Sequence, residues 1–229
     1  MKTLLIMRHA KSSWKHSELP DFERPLNKRG KTNAPLMGIL LRERELLPQY
    51  ILASTAQRVR ETVELFVEAS GFMGNVSWED KLYLAEPEVI LRTLAAVPDE
   101  FERVMVVGHN PGLEMIVQLL SNRIQSLSTG AVACFALQVE NWSELNEKLL
   151  GDLVEFWTPD DLIAEVAEVE IVMGDKKDKK EKEEKKEKKE KEAKIEKKEL
   201  ERKEEKKEKK EKKEKKEKKE KKEKKEKGK

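Results

Sequence analysis

The chain has 229 residues, and its 48 Lys+Arg and 46 Asp+Glu leave a formal net charge of +2. Residues 175–229 hold 31 of the basic and 20 of the acidic residues, so that stretch carries about +11 and residues 1–174 about −9. An acidic body of this kind argues against nucleic acid as a specific partner. The single cysteine, Cys134, cannot close an internal disulfide, and the amino-terminal apolar run, Thr3 to Met7, is too short for a signal peptide or a membrane span. The expectation is a cytoplasmic protein with one domain over 1–174 and a Lys/Glu-rich tail over 175–229.

Leu4 to Met7 reads as a strand buried on both faces, and it runs directly into Arg8, His9 and Ala10. In open α/β sheets, chemistry gathers beyond the carboxyl ends of the strands. An arginine beside a histidine there suggests an anion held next to a nucleophile or base. The polar stretch Lys11 to Leu26 is long for a connection inside a compact domain, which marks it as functional or disordered. Within it, His16 reads as an exposed loop residue. Arg24 either pins the loop through an ion pair in Asp21-Phe22-Glu23-Arg24 or adds to an anion site.

Lys28 to Glu45 carries a helical apolar stripe and ends before Pro48. Tyr50 to Ala53 is a second buried strand, and the next helix follows with Ser54 or Thr55 as its cap. Arg58 then falls in the first helical turn, where the helix dipole disfavours a cation and an anionic ligand would account for it. Pro87 suits the first position of a helix reaching Ala96, which puts Glu86 at its cap. Glutamate is a poor cap, so Glu86 is a candidate for presenting a carboxyl group as an acid.

Arg103 to Val107 is a third buried strand, ending at Gly108-His109-Asn110 immediately before a helix over Leu113 to Leu120. This repeats the first arrangement, a histidine at a strand end beside a helix amino terminus that favours anions. Ala131 to Val139 and Leu153 to Trp157 read as further strands, with a short helical or loop segment over 145–150. A helix over 159–172 would pack on the body. Cys134, in an apolar run, reads as core. The tail repeats Lys-Lys-Glu and has almost nothing to bury, so it is either a solvated helix or disordered, able at most to make nonspecific electrostatic contacts.

Arg8-His9-Ala10, Ser54-x-x-x-Arg58 and Gly108-His109-Asn110, each after a strand, resemble the histidine phosphatase superfamily, also called phosphoglycerate mutase-like. Met7 to Ser12, Arg24-Pro25-Leu26 with Gly30, and the compact length resemble its SixA-type phosphohistidine phosphatase branch. The superfamily usually has glycine where this chain has Ala10. The resemblance implies a three-layer α/β/α sandwich around a mostly parallel sheet. It also implies that His9 is the nucleophile and that Arg8, Arg58 and a protonated His109 surround the phosphoryl oxygens, with Ser54, Arg24 and Asn110 as further phosphate-binding candidates and Glu86 as the leaving-group acid. Guanidiniums can neutralise charge spread over three oxygens, so no metal and no cofactor is expected. The expected activity is hydrolysis of phosphohistidine in a protein. A phosphatase of small phosphate esters is the alternative, and a phosphoprotein-binding adaptor without turnover a second one.

Overall fold

The computed structural model describes residues 1–15, 18–146 and 148–165, together with Lys185, Lys188 and Lys209. Contacts divide the chain into two units, Met1–Val166 and Ala167–Lys229, and the first carries the sheet and its covering helices. His16, the expected 174/175 boundary, the end of the helix expected over 159–172 and all but three tail residues lie outside the described residues.

Strand β1 (Lys2–Arg8) is the centre of the sheet. Leu4, Leu5, Ile6 and Met7 are each fully buried. Their alternation decides the architecture, because successive strand side chains point to opposite faces. Leu4 and Ile6 join one apolar cluster with side chains of helices α3 (Pro87–Ala95) and α4 (Gly112–Ser121), including Ile90, Leu94, Ile116 and Leu120. Leu5 and Met7 join the other, with Met37 and Leu41 of α1 (Lys28–Glu43) and Val59, Val63 and Phe66 of α2 (Gln57–Ser70). One helix pair therefore covers each face of the sheet, which is the expected three-layer α/β/α sandwich. Each buried aliphatic side chain contributes about 1.5–3 kcal/mol, so this strand alone is a substantial part of the driving force for the layering.

The sheet has six strands in the order β3-β2-β4-β1-β5-β6, where β2 is Tyr50–Ser54, β3 Asn75–Glu79, β4 Arg103–Gly108, β5 Val132–Leu137 and β6 Gly151–Trp157. Strands β3, β2, β4 and β1 are parallel, while β5 and β6 are antiparallel additions, so the sheet is mostly parallel. Parallel neighbours place the carboxyl ends of β1, β2 and β4 on one edge. The ladder even continues past β1, with His9 N–H donating to the Gly108 carbonyl at 3.1 Å.

Two local departures from the sequence reading have simple causes. The edge strand β3 is only partly buried along its length, and its alternation rests on just two apolar side chains, Val76 and Trp78, which pack on one cluster. The α1 helix stops at Glu43, two residues before the expected end, because Glu45 adopts a left-handed backbone with φ of 57°. Cys134 is buried in β5 as expected.

The stretch from Lys11 to Leu26 is closed at its base rather than loose. Ser13 N–H donates to the Pro25 carbonyl at 2.8 Å and Asn27 N–H to the Lys11 carbonyl at 2.9 Å. The Asn27 side chain caps α1 through Gly30 N–H at 2.9 Å. Gly30 is required there, since a Cβ would run into the Lys11 carbonyl. A short 3-10 turn, Asp21–Glu23, forms the outer part of this loop.

Candidate active site

Four of the expected side chains meet at the carboxyl edge of the sheet. His9 (7% exposed), Arg58 (4%) and His109 (3%) are buried, and the two imidazole centroids lie 5.1 Å apart. Arg58 stands between the rings. Its Nε–H points at His9 Nε2 at 3.2 Å and its Nη2–H at His109 Nδ1 at 3.1 Å. Ser54 Oγ completes the group at 2.9 Å from His109 Nε2.

These contacts assign the tautomers, because a guanidinium only donates and a carbonyl only accepts. His9 Nδ1 lies 2.7 Å from the Ala10 carbonyl, so Nδ1 carries the proton and Nε2 presents its lone pair. His109 Nδ1 must accept from Arg58, which leaves its Nε2–H to donate to Ser54 Oγ. Both lone pairs thus converge on one guanidinium. Burial, joined by the charges of Arg58 and Arg8 on each ring, holds His9 at a pKa of about 4 and His109 at about 3. For His109 the neighbouring His9 adds to this, while for His9 the Ala10 hydrogen bond opposes it. Both rings are neutral near pH 7. The protonated His109 expected from the resemblance is therefore not the state of the free site, because a buried ring facing two guanidiniums cannot hold a further positive charge.

The scaffold fixes this geometry from beneath. Thr62 Oγ1, on α2, accepts from Ala10 N–H at 3.0 Å and donates to the Arg58 carbonyl at 2.6 Å, tying the turn after β1 to the turn that bears Arg58. Ser54 is not the cap of α2. Ala56 occupies that position, and the Ser54 hydroxyl is engaged with His109 instead. Thr55 donates to Asp80 Oδ1 at 2.6 Å.

The remaining candidates sit around this core. Arg8 Nη1 donates to the Leu127 carbonyl at 2.9 Å, and its buried Nε has no partner among the described residues. The same carbonyl accepts from Asn110 Nδ2 at 2.9 Å, and the buried Asn110 Oδ1 is likewise unpartnered among the described residues. Glu114 Oε1 holds the segment from the other side by accepting Leu127 N–H at 2.8 Å. Arg24 serves the loop, as the ion-pair reading has it. It reaches Asp21 Oδ1 at 2.8 Å, Ser12 Oγ at 3.0 Å and the Ser13 carbonyl at 3.1 Å, and lies 3.3 Å from the ring centroid of the exposed Trp14. Glu86 occupies the cap position of α3 with Pro87 behind it, but its exposed side chain makes no capping bond. No hydrogen bond links it to His9, Arg58 or His109 among the described residues.

Two participants have no counterpart in the sequence reading of the site. Asp21 was legible only as part of the loop segment whose internal ion pair with Arg24 could pin it. In the fold its Oδ2 also accepts from Arg58 Nη2 at 3.0 Å and from the Tyr83 hydroxyl at 2.7 Å. Partial burial opposes its ionisation, yet the Tyr83 hydroxyl, Arg24 and Arg58 bring its pKa down to about 2. Tyr83 packs edge-on against His109, with centroids 5.3 Å apart. Nothing in the local sequence around Tyr83 signals this placement. A separate open concavity of about 680 Å³, lined by Glu88, Arg92, Leu145 and neighbours, includes none of these residues.

A buried guanidinium, a second arginine at the rim and two neutral imidazoles are suited to holding a tetrahedral oxyanion against a nitrogen lone pair. Known proteins agree with that chemistry. A sequence profile of the histidine phosphatase superfamily (branch 1) matches residues 4–86. A chloroplastic protein of Arabidopsis thaliana is 33% identical over 153 residues, covering 62% of this chain and 70% of its own length. The crystal structure from Agrobacterium tumefaciens named for the phosphohistidine phosphatase SixA is 27% identical, covers 69% of this chain and 98% of its own, and superimposes with a TM-score of 0.60. The protein histidine phosphatase SixA complexed with tungstate shares the fold at 21% identity and a TM-score of 0.60, covering 70% of this chain and 99% of its own. By fold, motif and likeness together, the chain belongs to the histidine phosphatase superfamily, in its SixA-like branch, and is a phosphatase.

Proposed function

We propose that the phosphatase acts on phosphohistidine in a protein substrate through a phosphohistidine intermediate on His9. The observation that carries the reading is the convergence of the His9 and His109 lone pairs on Arg58, with His9 Nδ1–H fixed by the Ala10 carbonyl. An incoming phosphoryl group takes the place of the imidazoles as the acceptor for Arg58, which frees His9 Nε2. That nitrogen then attacks phosphorus in line as the bond to the substrate nitrogen breaks. The leaving imidazole collects its proton from water, and the bond to Ala10 supports the positive charge that develops on the His9 ring.

Arg58 and Arg8 neutralise the equatorial oxygens, the work a metal ion does in other phosphotransfer enzymes. The arriving negative charge also raises the pKa of His109, so this ring can take up a proton and donate from Nδ1 once substrate is bound. In the second half-reaction water attacks phosphorus, the phosphorus–Nε2 bond breaks and inorganic phosphate leaves. An imidazole leaving group needs little acid assistance, which suits a site whose carboxylate, Asp21, is ionised. The outer wall, with Asp21 about half exposed and Trp14 largely exposed, is open enough for a side chain carried on another protein. Cys134, buried and the only cysteine, is compatible with a reducing compartment. Among the described residues no helix is long and apolar enough to cross a membrane.

The test is rapid-quench labelling with a phosphohistidine-bearing protein and, separately, with sugar phosphates. The wild type is expected to form an acid-labile, base-stable phosphoenzyme on His9 and to prefer the phosphoprotein by roughly tenfold or more in kcat/KM. Preference for the sugar phosphate would replace the substrate assignment, and His9→Ala turning over like wild type would end the mechanism.

A further inference from the structure

Arg58 has two usable edges. The edge formed by Nε and Nη2 faces His9 Nε2 and His109 Nδ1, where the phosphoryl oxygens would sit. The opposite end, Nη1 and Nη2, is gripped by a single residue of the outer loop. Asp21 accepts Nη1–H on its backbone carbonyl at 2.6 Å and Nη2–H on Oδ2 at 3.0 Å. We propose that Asp21 is the positioning residue of Arg58, holding the far end of the guanidinium so that its near edge is aimed at the phosphoryl group.

Three further contacts make this a built arrangement. Tyr83 Oη donates to the same Oδ2 at 2.7 Å, and Arg24 Nη1 donates to Oδ1 at 2.8 Å, so both carboxylate oxygens are held in place. Phe22, next in the chain, packs edge-on against the Tyr83 ring with centroids 5.0 Å apart. A planar guanidinium held at one end in this way has few orientations left, and preorganised donors lower the cost of meeting charge in the transition state. The proposal rests on the phosphatase reading of the site, but not on the identity of the substrate.

Its sign is opposite to that of simple electrostatics. Removing a carboxylate beside an anion site should strengthen anion binding, whereas loss of a positioning residue should weaken it. The experiment measures orthovanadate affinity and p-nitrophenyl phosphate kinetics for wild type, Asp21→Asn, Asp21→Glu and Tyr83→Phe, each also in an Arg58→Ala background, with thermal melts to establish folding. Asp21→Asn is expected to weaken vanadate binding and kcat/KM together by roughly five- to tenfold. Tyr83→Phe should act in the same direction but less, Asp21→Glu should recover part of the loss, and the effect should vanish when Arg58 is already absent. Tighter vanadate binding by Asp21→Asn would show Asp21 to be a competitor of the substrate and overturn the proposal. An undiminished effect in the Arg58→Ala background, or a loss of kcat/KM with vanadate affinity unchanged, would overturn it equally. Failure of the wild type to bind vanadate or turn over would instead count against the phosphatase reading itself.

Discussion

The site has two halves of different origin. The inner half, Arg8, His9, Ser54, Arg58 and His109, hangs from the ends of three parallel strands and one helix turn. Three of its members are at most 4% exposed: Ser54, Arg58 and His109. The outer half comes from the loop after β1, with Asp21 exposed and Arg24 buried, and from Tyr83, half-buried just after the 3-10 turn Asp80–Leu82. The inner half inherits its precision from the sheet, because a residue one step beyond a buried strand has little freedom. The outer half is held by ion pairs and ring contacts, which solvent weakens. The contrast teaches that the chemistry is anchored where the fold is stiffest, while its alignment is adjusted by a part that the substrate can reach.

Substitutions in the two halves should therefore separate in size. Arg58→Ala is expected to lower kcat/KM by about 10²–10³-fold, with Arg58→Lys recovering little, because an ammonium cannot span two acceptors as a fork does. Steady-state kinetics on p-nitrophenyl phosphate check this, and a loss below tenfold would mean that the inner half does not dominate. Ser54→Ala, which removes the acceptor for His109 Nε2–H, should cost on the order of tenfold in kcat/KM. Arg24→Ala loosens the loop without touching either imidazole. It should raise KM by a few-fold, a change of about 1 kcal/mol or less, with kcat nearly unchanged.

A pH experiment separates the halves by a different property. Both buried histidines have pKa values below the 6.5 of an unfolded chain, so the unfolded state binds more protons as the pH falls. Stability contributed by the inner half should be complete above about pH 6.5 and decline as the pH falls through about 4 and 3. Each ring loses about 1.4 kcal/mol for every pH unit crossed between its unfolded and folded values. Asp21, lowered to about 2, loses its contribution only below about pH 4, as the carboxylate protonates. Urea titrations at stepped pH check this. His9→Asn should flatten the upper window and Asp21→Asn only the lower. Last, deleting residues 175–229 should leave activity on a small substrate unchanged, since the proposed chemistry draws only on the first unit.

The inner half was legible because its signals are local: an apolar run followed at once by a histidine, and a cation in the first turn of a helix, where the dipole alone gives no reason for it. The strand assignments that fix β1, β2 and β4 rest on the same continuous burial. The outer half was not legible in this way. Asp21 and Tyr83 meet across 62 positions, and no spacing rule joins a carboxylate that opens one 3-10 turn to a tyrosine that follows another. Glu86 shows the reverse error source. A poor capping residue at a helix start invites a functional reading, yet position one of the helix is explained by Pro87 alone, and the exposed carboxylate makes no cap. Strand β3 escaped because its alternation rests on only two apolar side chains, Val76 and Trp78, at a partly covered edge.

The guanidinium lodged between the two rings has one more consequence. Two neutral imidazoles facing each other across 5.1 Å are the beginnings of a chelate, and zinc or copper would ordinarily compete for such nitrogens. Here both lone pairs already accept from the Arg58 guanidinium, so neither is free to ligate a metal while those bonds stand. An oxyanion that binds this edge of Arg58 must displace both imidazoles from it at once, while the far end of the guanidinium stays with Asp21.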